Sequence, residues 1–264
     1  MKDPSSERKE SAAEVARALS HAGYEELEAL ICSYAYDPRK QVQKALATAM
    51  RRLERMDRER ERVDRMYEYQ TALAKEGPVV GIDEVGRGAI AGPLTVCAVI
   101  LPDEPRIQGL NDSKQLTPAA RERLAEQIRA TAVAIGIAHV QPESIDALGM
   151  GEALRYAMGK AIRNTGVEVR SVLIDGNPIG AHPLEKCVVK GDARVASISA
   201  ASIVAKVTRD ALMVGMDAVY PGYDLASCKG YASPAHIQAI RDHGLTPIHR
   251  VSFCENFVDT GTAD

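Results

Sequence analysis

Two adjacent carboxylates, Asp83 and Glu84, follow an apolar run that begins at residue 79. A carboxylate at the end of a strand that is about to be buried is destabilised unless a cation neutralises it. Hard divalent metals such as magnesium and manganese prefer oxygen ligands of this kind. The next residues, Gly86, Arg87 and Gly88, bring bare backbone and a guanidinium close to the same point. The segment therefore predicts metal-assisted chemistry on a phosphate.

Two later apolar runs also end in acids. The run 171–174 leads to Asp175, and the run 187–189 leads to Asp192. Catalytic groups of α/β sheets gather at strand ends near a switch in strand order. If these strands are neighbours, four carboxylates converge. Two divalent ions about 4 Å apart would neutralise them, activate a water and stabilise the leaving oxygen of a phosphodiester.

Neighbouring side chains on a regular strand point to opposite faces of the sheet. Asp83 and Glu84 can share one site only if the strand twists, bulges or ends between them. Gly86 and Gly88 are consistent with such an ending. Taken singly, each acid can be a surface carboxylate, and for a lone Asp-Gly that explanation is the better one, because Asp-Gly is common in turns. Only the joint pattern favours a metal site.

The elements that must position these acids follow from the hydrophobic pattern. Residues 10–75 show helical spacing with a break at Asp37-Pro38, whereas strands and helices alternate after Gly77. We predict an α/β fold with a mixed sheet flanked by helices and a small all-helical N-terminal extension, in domains 1–76 and 77–264. The predicted strands are 79–85, 94–101, 133–140, 171–174 and 187–189. The predicted helices are 117–131, 152–164, 197–219 and one from Ser233-Pro234 to before Gly244.

Composition narrows the class of protein. The chain has 264 residues, 45% apolar and 26% charged, with a net charge of −3. No apolar run reaches the roughly 18 residues that a membrane span needs, and the polar N-terminus lacks a signal-peptide core. We therefore expect a cytoplasmic protein without membrane partners. Five scattered cysteines without a CxxC pair argue against a disulfide framework and a zinc site.

Charge is unevenly distributed along the chain. Residues 39–65 hold ten Lys or Arg and five Asp or Glu. Such a stretch can face the phosphates of a nucleic acid. A solvated helix crossed by ion pairs explains the same pattern. Both interpretations stay open.

The motifs taken in order resemble those of the bacterial ribonuclease HII family. The resemblance covers about residues 79–257, and although each motif alone is modest, seven in order are very specific. The helical extension resembles one found in some Gram-positive members. The matching segments are 81–88, 111–114, 173–177, 189–192, 199–210, 220–223 with 229–231, and 246–253.

The resemblance implies a ribonuclease H-like fold and an endoribonuclease. It would cut RNA–DNA hybrids and duplex DNA on the 5′ side of embedded ribonucleotides, leaving 3′-hydroxyl and 5′-phosphate ends. Asp83, Glu84, Asp175 and Asp192 would bind two Mn²⁺ or Mg²⁺ ions. Gly86-Arg87-Gly88 would read the ribose 2′-hydroxyl, which also agrees with the physical need for close backbone approach.

Other implied contacts concern the substrate. Tyr231 would stack on the sugar of the following deoxynucleotide. Asn111 and Lys114 are candidates for holding a phosphate, although a polar turn explains them equally well. The family commonly has Pro at the position of Ala89 and Gly at that of Ala232, so the pose of Tyr231 is the least fixed of these assignments.

Two other functions compete with this one. An HIII-type nuclease would need a longer RNA tract, and a non-catalytic binding module would use residues 39–65. The intact acid set and Gly86-Arg87-Gly88 favour the HII type. We also expect the protein to be a monomer. Asp210 is expected to form an ion pair rather than bind metal, and His236, His243 and His249 are too irregularly spaced for zinc.

Overall fold

A computed structural model of the protein describes residues 10–75 and 77–258. Internal contacts divide the chain into two compact units, separated between Arg62 and Val63. The domain boundary predicted after residue 76 falls at a residue outside the described part, and it stays a prediction. Residues 1–9 and 259–264 of the two predicted domains are also outside the described part.

Helices alone make up the described part of the first unit. They are α1 (Ala12–His21), α2 (Tyr24–Tyr34) and the beginning of α3 (Lys40–Leu73). Ser11 and Glu14 form a reciprocal capping box that starts α1. Apolar residues at helical spacing, including Val15, Leu27 and Leu46, form a small core. The predicted helical extension and its break near Asp37-Pro38 are confirmed.

The second unit alternates strands and helices, as the pattern predicts. Its elements in chain order are β1 (Val79–Val85), β2 (Leu94–Ile100), α4 (Pro118–Thr131), β3 (Ala134–Val140), α5 (Pro142–Leu148), α6 (Met150–Asn164), β4 (Ser171–Asp175), β5 (Glu185–Val188), a 3-10 helix (Gly191–Ala193), α7 (Ala196–Val219), α8 (Leu225–Cys228), α9 (Pro234–His243) and α10 (Val251–Cys254).

The five strands form one mixed sheet in the order β3-β2-β1-β4-β5. β1 pairs antiparallel with β2 and parallel with β4, while β4 and β5 are also parallel. The sheet therefore changes from antiparallel to parallel at β1, and the C-terminal ends of β1 and β4 lie side by side. This confirms the predicted mixed sheet flanked by helices.

Each face of the sheet is covered by helices. On one face Ile82 and Val96 pack against α5 and α6. On the other, Cys97 and Val99 pack against α4, α7 and the last turns of α3 from Val63 onward. A further core behind Ile90 and Tyr223 joins the C-terminal helices to the segment after β1. Residues at the ends of the central strands are thus held by helices packed on both faces of the sheet.

Local signals mark several element boundaries. Thr117 and Ser233 cap α4 and α9 through their side chains, each with proline at the first position, and Gly244 ends α9. The short helix α5 was not predicted, although Pro142 at its first position is a helix-start signal. All five cysteines are free. No helix in residues 10–75 and 77–258 is long and apolar enough to cross a bilayer.

Candidate active site

The four predicted acids lie around the C-terminal ends of β1 and β4. Ile82 pairs with Ile174 across the parallel strands, so Asp83 and Asp175 are the next residues on neighbouring strands. Asp192 belongs to the 3-10 helix that follows β5, the next strand in the sheet. The predicted neighbourhood of these strands is therefore present.

Asp83 is almost completely buried on the α7 side of the sheet. It pairs across the strands with Cys97, whose core includes residues of α7. Burial raises the pKa of Asp83 well above its usual value, and the charges of Glu84 and Asp175 raise it further. A hydrogen bond from Ser202 acts in the opposite direction. Ser202 is itself hydrogen-bonded to Ser113 at 2.9 Å between the hydroxyl oxygens.

Glu84 faces the other side of the sheet, because β1 remains regular to Val85 and pairs Glu84 with Val96. Its carboxylate lines an open pocket of about 370 Å³ together with Asp175 and Arg87. Burial raises the pKa of Glu84, and the nearby Arg87 guanidinium lowers it, with an Nη1–Oε1 distance of 3.6 Å. The two adjacent acids are thus presented on opposite faces of one strand end.

Asp175 lies between the other acids. Its charge contributes to the raised pKa of Asp83, of Glu84 and of Asp192, in each case after burial. Its Oδ1 accepts a hydrogen bond from the backbone N–H of Gly191 at 2.7 Å, which fixes the turn that carries Asp192. Asp192 is 8% exposed. The four carboxylates therefore form one electrostatic group with Asp175 as the shared neighbour.

This group fits divalent cations by its chemistry. The donors are carboxylate oxygens, and the repulsion that raises the pKa of Asp83, Glu84 and Asp192 would be relieved by a hard cation. In the residues that the structure describes, no three His, Cys, Asp or Glu side chains already surround a common point. One reason is that the Asp83 and Glu84 side chains point to opposite faces of the sheet, so that binding one ion together would require rotation of a carboxylate at the strand end.

The polar loop 111–114 lies beside the same group. Asp112 raises and Lys114 lowers the pKa of Asp192, after the effects of burial and of Asp175. The Asn111 carbonyl accepts a hydrogen bond from Ser199 at 3.0 Å, and its side-chain oxygen accepts one from the Asp112 backbone at 2.9 Å. Asn111 therefore serves the loop's own structure, and Lys114 is a cation whose charge acts on Asp192.

Gly86-Arg87-Gly88 forms the turn that follows β1. Gly86 has a φ of 83°, a left-handed conformation that glycine adopts without strain. The Arg87 side chain is largely exposed, and Gly88 faces open space with no heavy atom near a notional Cβ. The turn is thus bare on the side away from the core, as close approach to a sugar requires.

Tyr231 lies in a turn that is hydrogen-bonded to the chain just after Gly88. The Gly230 carbonyl accepts the backbone N–H groups of Ile90 at 2.9 Å and Ala91 at 3.0 Å. Tyr231 is 37% exposed, and the Arg209 guanidinium lies against its ring at 5.5 Å from the ring centroid. The exposed ring face is available for stacking.

The backbone contacts of two buried arginines were not predicted from the sequence. Arg209 and Arg250 are both fully buried and donate hydrogen bonds to backbone carbonyls around Gly92 and Arg87. Arg209 falls on the helical stripe that includes Ser202, Ala205 and Met213, so its spacing in α7 was the available signal. Their acceptors are distant in sequence and carry no signal.

The contacts of Asp210, His236 and His249 show what these polar side chains bind. Asp210 forms an ion pair with Lys206 at 2.8 Å, as expected for positions i and i+4 of a helix. The Nε2 atoms of His236 and His249 are 3.0 Å apart and hydrogen-bonded to each other. His236 Nδ1 is 2.9 Å from the Tyr231 carbonyl, so the pair anchors the Tyr231 turn.

The chain is similar to known proteins over most of its length. The family model described as ribonuclease HII matches residues 80–256, and that described as the ribonuclease HII N-terminal domain matches residues 11–74. The chain is 43% identical over 219 residues to ribonuclease HII of Listeria monocytogenes serotype 4a, covering 82% of this chain and 84% of the relative. It is 44% identical over 224 residues to ribonuclease HII of Lachnoclostridium phytofermentans, covering 84% and 88%.

A solved structure agrees with these relatives. The crystal structure of ribonuclease H2 from Pyrococcus horikoshii OT3 has a TM-score of 0.58 and 26% identity, and the match covers 69% of this chain and 99% of that one. The fold is thus ribonuclease H-like. The chain belongs to the ribonuclease HII family and is an endoribonuclease that acts on RNA–DNA hybrids.

Proposed function

We propose that the protein also cuts duplex DNA on the 5′ side of single embedded ribonucleotides, leaving 3′-hydroxyl and 5′-phosphate ends. In the cell this activity would remove misincorporated ribonucleotides from DNA. The carrying observation is the electrostatic group of Asp83, Glu84, Asp175 and Asp192 beside the bare turn 86–88. A site for cleavage thereby adjoins a site for reading the ribose.

Two Mn²⁺ or Mg²⁺ ions would be held by these four carboxylates. When bound, such ions activate water for in-line attack and stabilise the leaving oxygen. The chain's own contribution is to hold the acids in place: Ser202 hydrogen-bonds to Asp83, and Asp175 fixes the Gly191 turn. The raised pKa values of Asp83, Glu84 and Asp192, to which the Asp175 charge contributes, support a cation requirement, because ionised acids this close repel one another.

Recognition of the junction would be shared between two turns. The backbone at Gly86 and Gly88 would contact the 2′-hydroxyl, which distinguishes RNA from DNA. Tyr231, with one ring face exposed, would stack on the next deoxyribose. Lys114 beside Asp192 and Arg87 beside Glu84 would meet the phosphates, and Asn111 would act through the loop that holds Lys114.

A cleavage assay tests this proposal directly. The full-length protein and Asp83→Asn are incubated with duplex DNA containing one ribonucleotide, with Mn²⁺, with Mg²⁺ or with a chelator, and the product ends are mapped. We expect cleavage 5′ of the ribonucleotide only with metal and only by the unaltered protein. A substrate with a single ribonucleotide left uncut while a long hybrid is cut would favour an HIII-type preference. Metal-independent cutting would overturn the two-ion mechanism.

The N-terminal region has a proposed role of its own. The basic residues of α3 would add affinity for the duplex, as in the substrate-binding extension predicted for residues 1–76. Arg51, Arg55 and Arg58 support this, because they are exposed and lie on one stripe of the helix. The predicted cytoplasmic location and monomeric state remain predictions that size-exclusion and localisation measurements would test.

A further inference from the structure

Arg209 is fully buried, and each nitrogen of its guanidinium donates a hydrogen bond to a backbone carbonyl. Nε donates to the Pro93 carbonyl at 2.9 Å, Nη1 to the Lys229 carbonyl at 2.8 Å and Nη2 to the Ala91 carbonyl at 3.0 Å. One side chain from α7 therefore joins the segment after the 86–88 turn to the turn that carries Tyr231. These segments are more than 130 residues apart in the sequence.

The cost of this arrangement calls for an explanation. In the part of the chain that the structure describes, Arg209 forms no ion pair with a carboxylate. Burial lowers the pKa of Arg209, because removing a cation from water is unfavourable. An apolar side chain would fill the same space without that cost. The guanidinium therefore serves to connect the segment after the 86–88 turn with the turn that carries Tyr231.

Both substrate-reading elements rest directly on Arg209. A Cβ added at Gly86 would overlap the guanidinium, so this turn sits in contact with it. On its other side the guanidinium lies 5.5 Å from the Tyr231 ring centroid, within the range of a cation–π contact. Arg209 is 0% exposed and is covered by these two elements, so it cannot reach the nucleic acid itself.

We propose that Arg209 is a positioning residue that couples the Gly86 turn to the ring of Tyr231 and so sets the preference for a ribose followed by a deoxyribose. The proposal rests on the proposed function, in which these two elements read the two sugars of the junction. A junction needs both elements at a fixed separation. Cleavage inside a continuous RNA tract depends less on that separation, because every sugar there carries a 2′-hydroxyl.

The test compares two substrates and a double-mutant cycle in the full-length protein. Arg209→Met keeps an unbranched side chain and removes the donors, and Tyr231→Ala removes the ring. For each variant, kcat/KM is measured on duplex DNA with one ribonucleotide and on a continuous RNA–DNA hybrid. We expect Arg209→Met to lower kcat/KM on the singly substituted duplex, relative to kcat/KM on the continuous hybrid, by about tenfold. When Tyr231 is already alanine, Arg209→Met should lower this ratio little further, since contacting residues couple by this order.

Controls separate positioning from general loosening. Arg129→Met removes an exposed arginine of α4 that donates a hydrogen bond to the Thr208 hydroxyl of α7 at 3.3 Å, and the substrate ratio should not change. If Arg209→Met does not fold, Arg209→Lys retains the charge and part of the hydrogen bonding, and the same cycle is run with it. Equal losses on both substrates, or the same loss with and without Tyr231, would overturn the proposal.

Failure of the proposed function is distinguishable from failure of this inference. The proposed function is tested by the unaltered protein alone, which must cut the singly substituted duplex. If it does not, coupling between Arg209 and Tyr231 is read on the continuous hybrid instead. Non-additive losses there support the positioning role, and additive losses contradict it.

Discussion

The Oδ1 atom of Asp175 accepts a hydrogen bond from the backbone N–H of Gly191 at 2.7 Å. This bond joins the end of β4 to the 3-10 helix that carries Asp192. Asp175 therefore has two separable duties, one as a charged oxygen donor and one as an acceptor that shapes the chain. Substitutions can remove either the charge alone or both.

Asp175→Asn should remove cleavage while preserving stability. The amide oxygen can still accept the Gly191 N–H, but the negative charge is lost, and activity should fall on the order of 10³-fold. Asp175→Ala loses the acceptor as well and should cost about 1 kcal/mol more in unfolding free energy. Cleavage rates and chemical denaturation of both variants measure the two effects. An active Asp175→Asn enzyme would show that this acid is not a metal ligand.

Gly86 and Gly88 provide a matched pair of glycines in one turn. Gly86→Ala should destabilise the protein by about 1–3 kcal/mol, because its φ of 83° is left-handed and the new Cβ would overlap Arg209. Gly88→Ala should change stability by less than about 0.5 kcal/mol, since nothing lies near its Cβ. Thermal denaturation distinguishes the two.

Activity should respond in a different way to the same pair of substitutions. Because the Gly88 backbone would lie against the 2′-hydroxyl, Gly88→Ala should weaken cleavage at a single ribonucleotide in a protein that remains stable. Full activity of Gly88→Ala would place the ribose elsewhere. Gly86→Ala tests the turn, and Gly88→Ala tests the contact.

Much of the fold is readable from the sequence because its signals are local. The cap and proline pairs at Thr117-Pro118 and Ser233-Pro234 mark helix starts, and the apolar runs before Asp83 and Asp175 mark strands. The neighbourhood of β1 and β4 follows from the acids at their ends. The ribonuclease HII assignment rests on ordered motifs of the same local kind.

Other features depend on contacts between residues distant in sequence. The carbonyl acceptors of Arg209 lie at Ala91, Pro93 and Lys229, and backbone carbonyls carry no sequence signal. The hydrogen bond between His236 and His249 is equally invisible, because it depends on how α9 packs against the C-terminal segment. The opposite directions of Asp83 and Glu84 follow from β1 staying regular to Val85, which the glycines beyond it did not indicate.

The His236–His249 pair should make stability dependent on pH. His249 Nδ1 accepts the Thr246 backbone N–H at 3.0 Å, so its Nε2 carries the proton that His236 accepts, and both rings are neutral. Burial, and then the charge of His236, lower the pKa of His249 from 6.5 to about 4. The unfolded chain thus binds a proton at a higher pH than the folded one. Stability from this group is fully present above pH 6.5 and is lost as the pH falls towards 4.

Denaturation at a series of pH values measures this effect. The loss attributable to His249 should be on the order of 3 kcal/mol of unfolding free energy between pH 7 and 4. His249→Asn should be less stable at pH 7.5 but show a shallower decline over that window. His243→Asn, at an exposed position of α9, is the control and should keep the unaltered slope. Parallel profiles for all three proteins would contradict the assigned protonation states.

Arg51, Arg55 and Arg58 form an exposed stripe along α3, and both explanations of the charge of this helix stay open. Other basic residues of this region are paired, such as Arg62 with Glu59 at 2.6 Å and Arg39 with Asp37 at 2.6 Å. The solvated-helix interpretation thus accounts for part of the excess charge, and we propose the exposed stripe as the part that meets phosphates.

Replacing these three arginines together with glutamine should raise KM for duplex substrate and leave kcat unchanged. Each lost phosphate contact should also reduce the slope of log KM against log salt by about 0.9, because fewer counterions are released on binding. The matched lysine replacements keep the charge and should retain both the KM and the salt slope. If the glutamine variant shows the KM and slope of the unaltered protein, the stripe does not meet nucleic acid, and the charges of α3 serve its solvation alone.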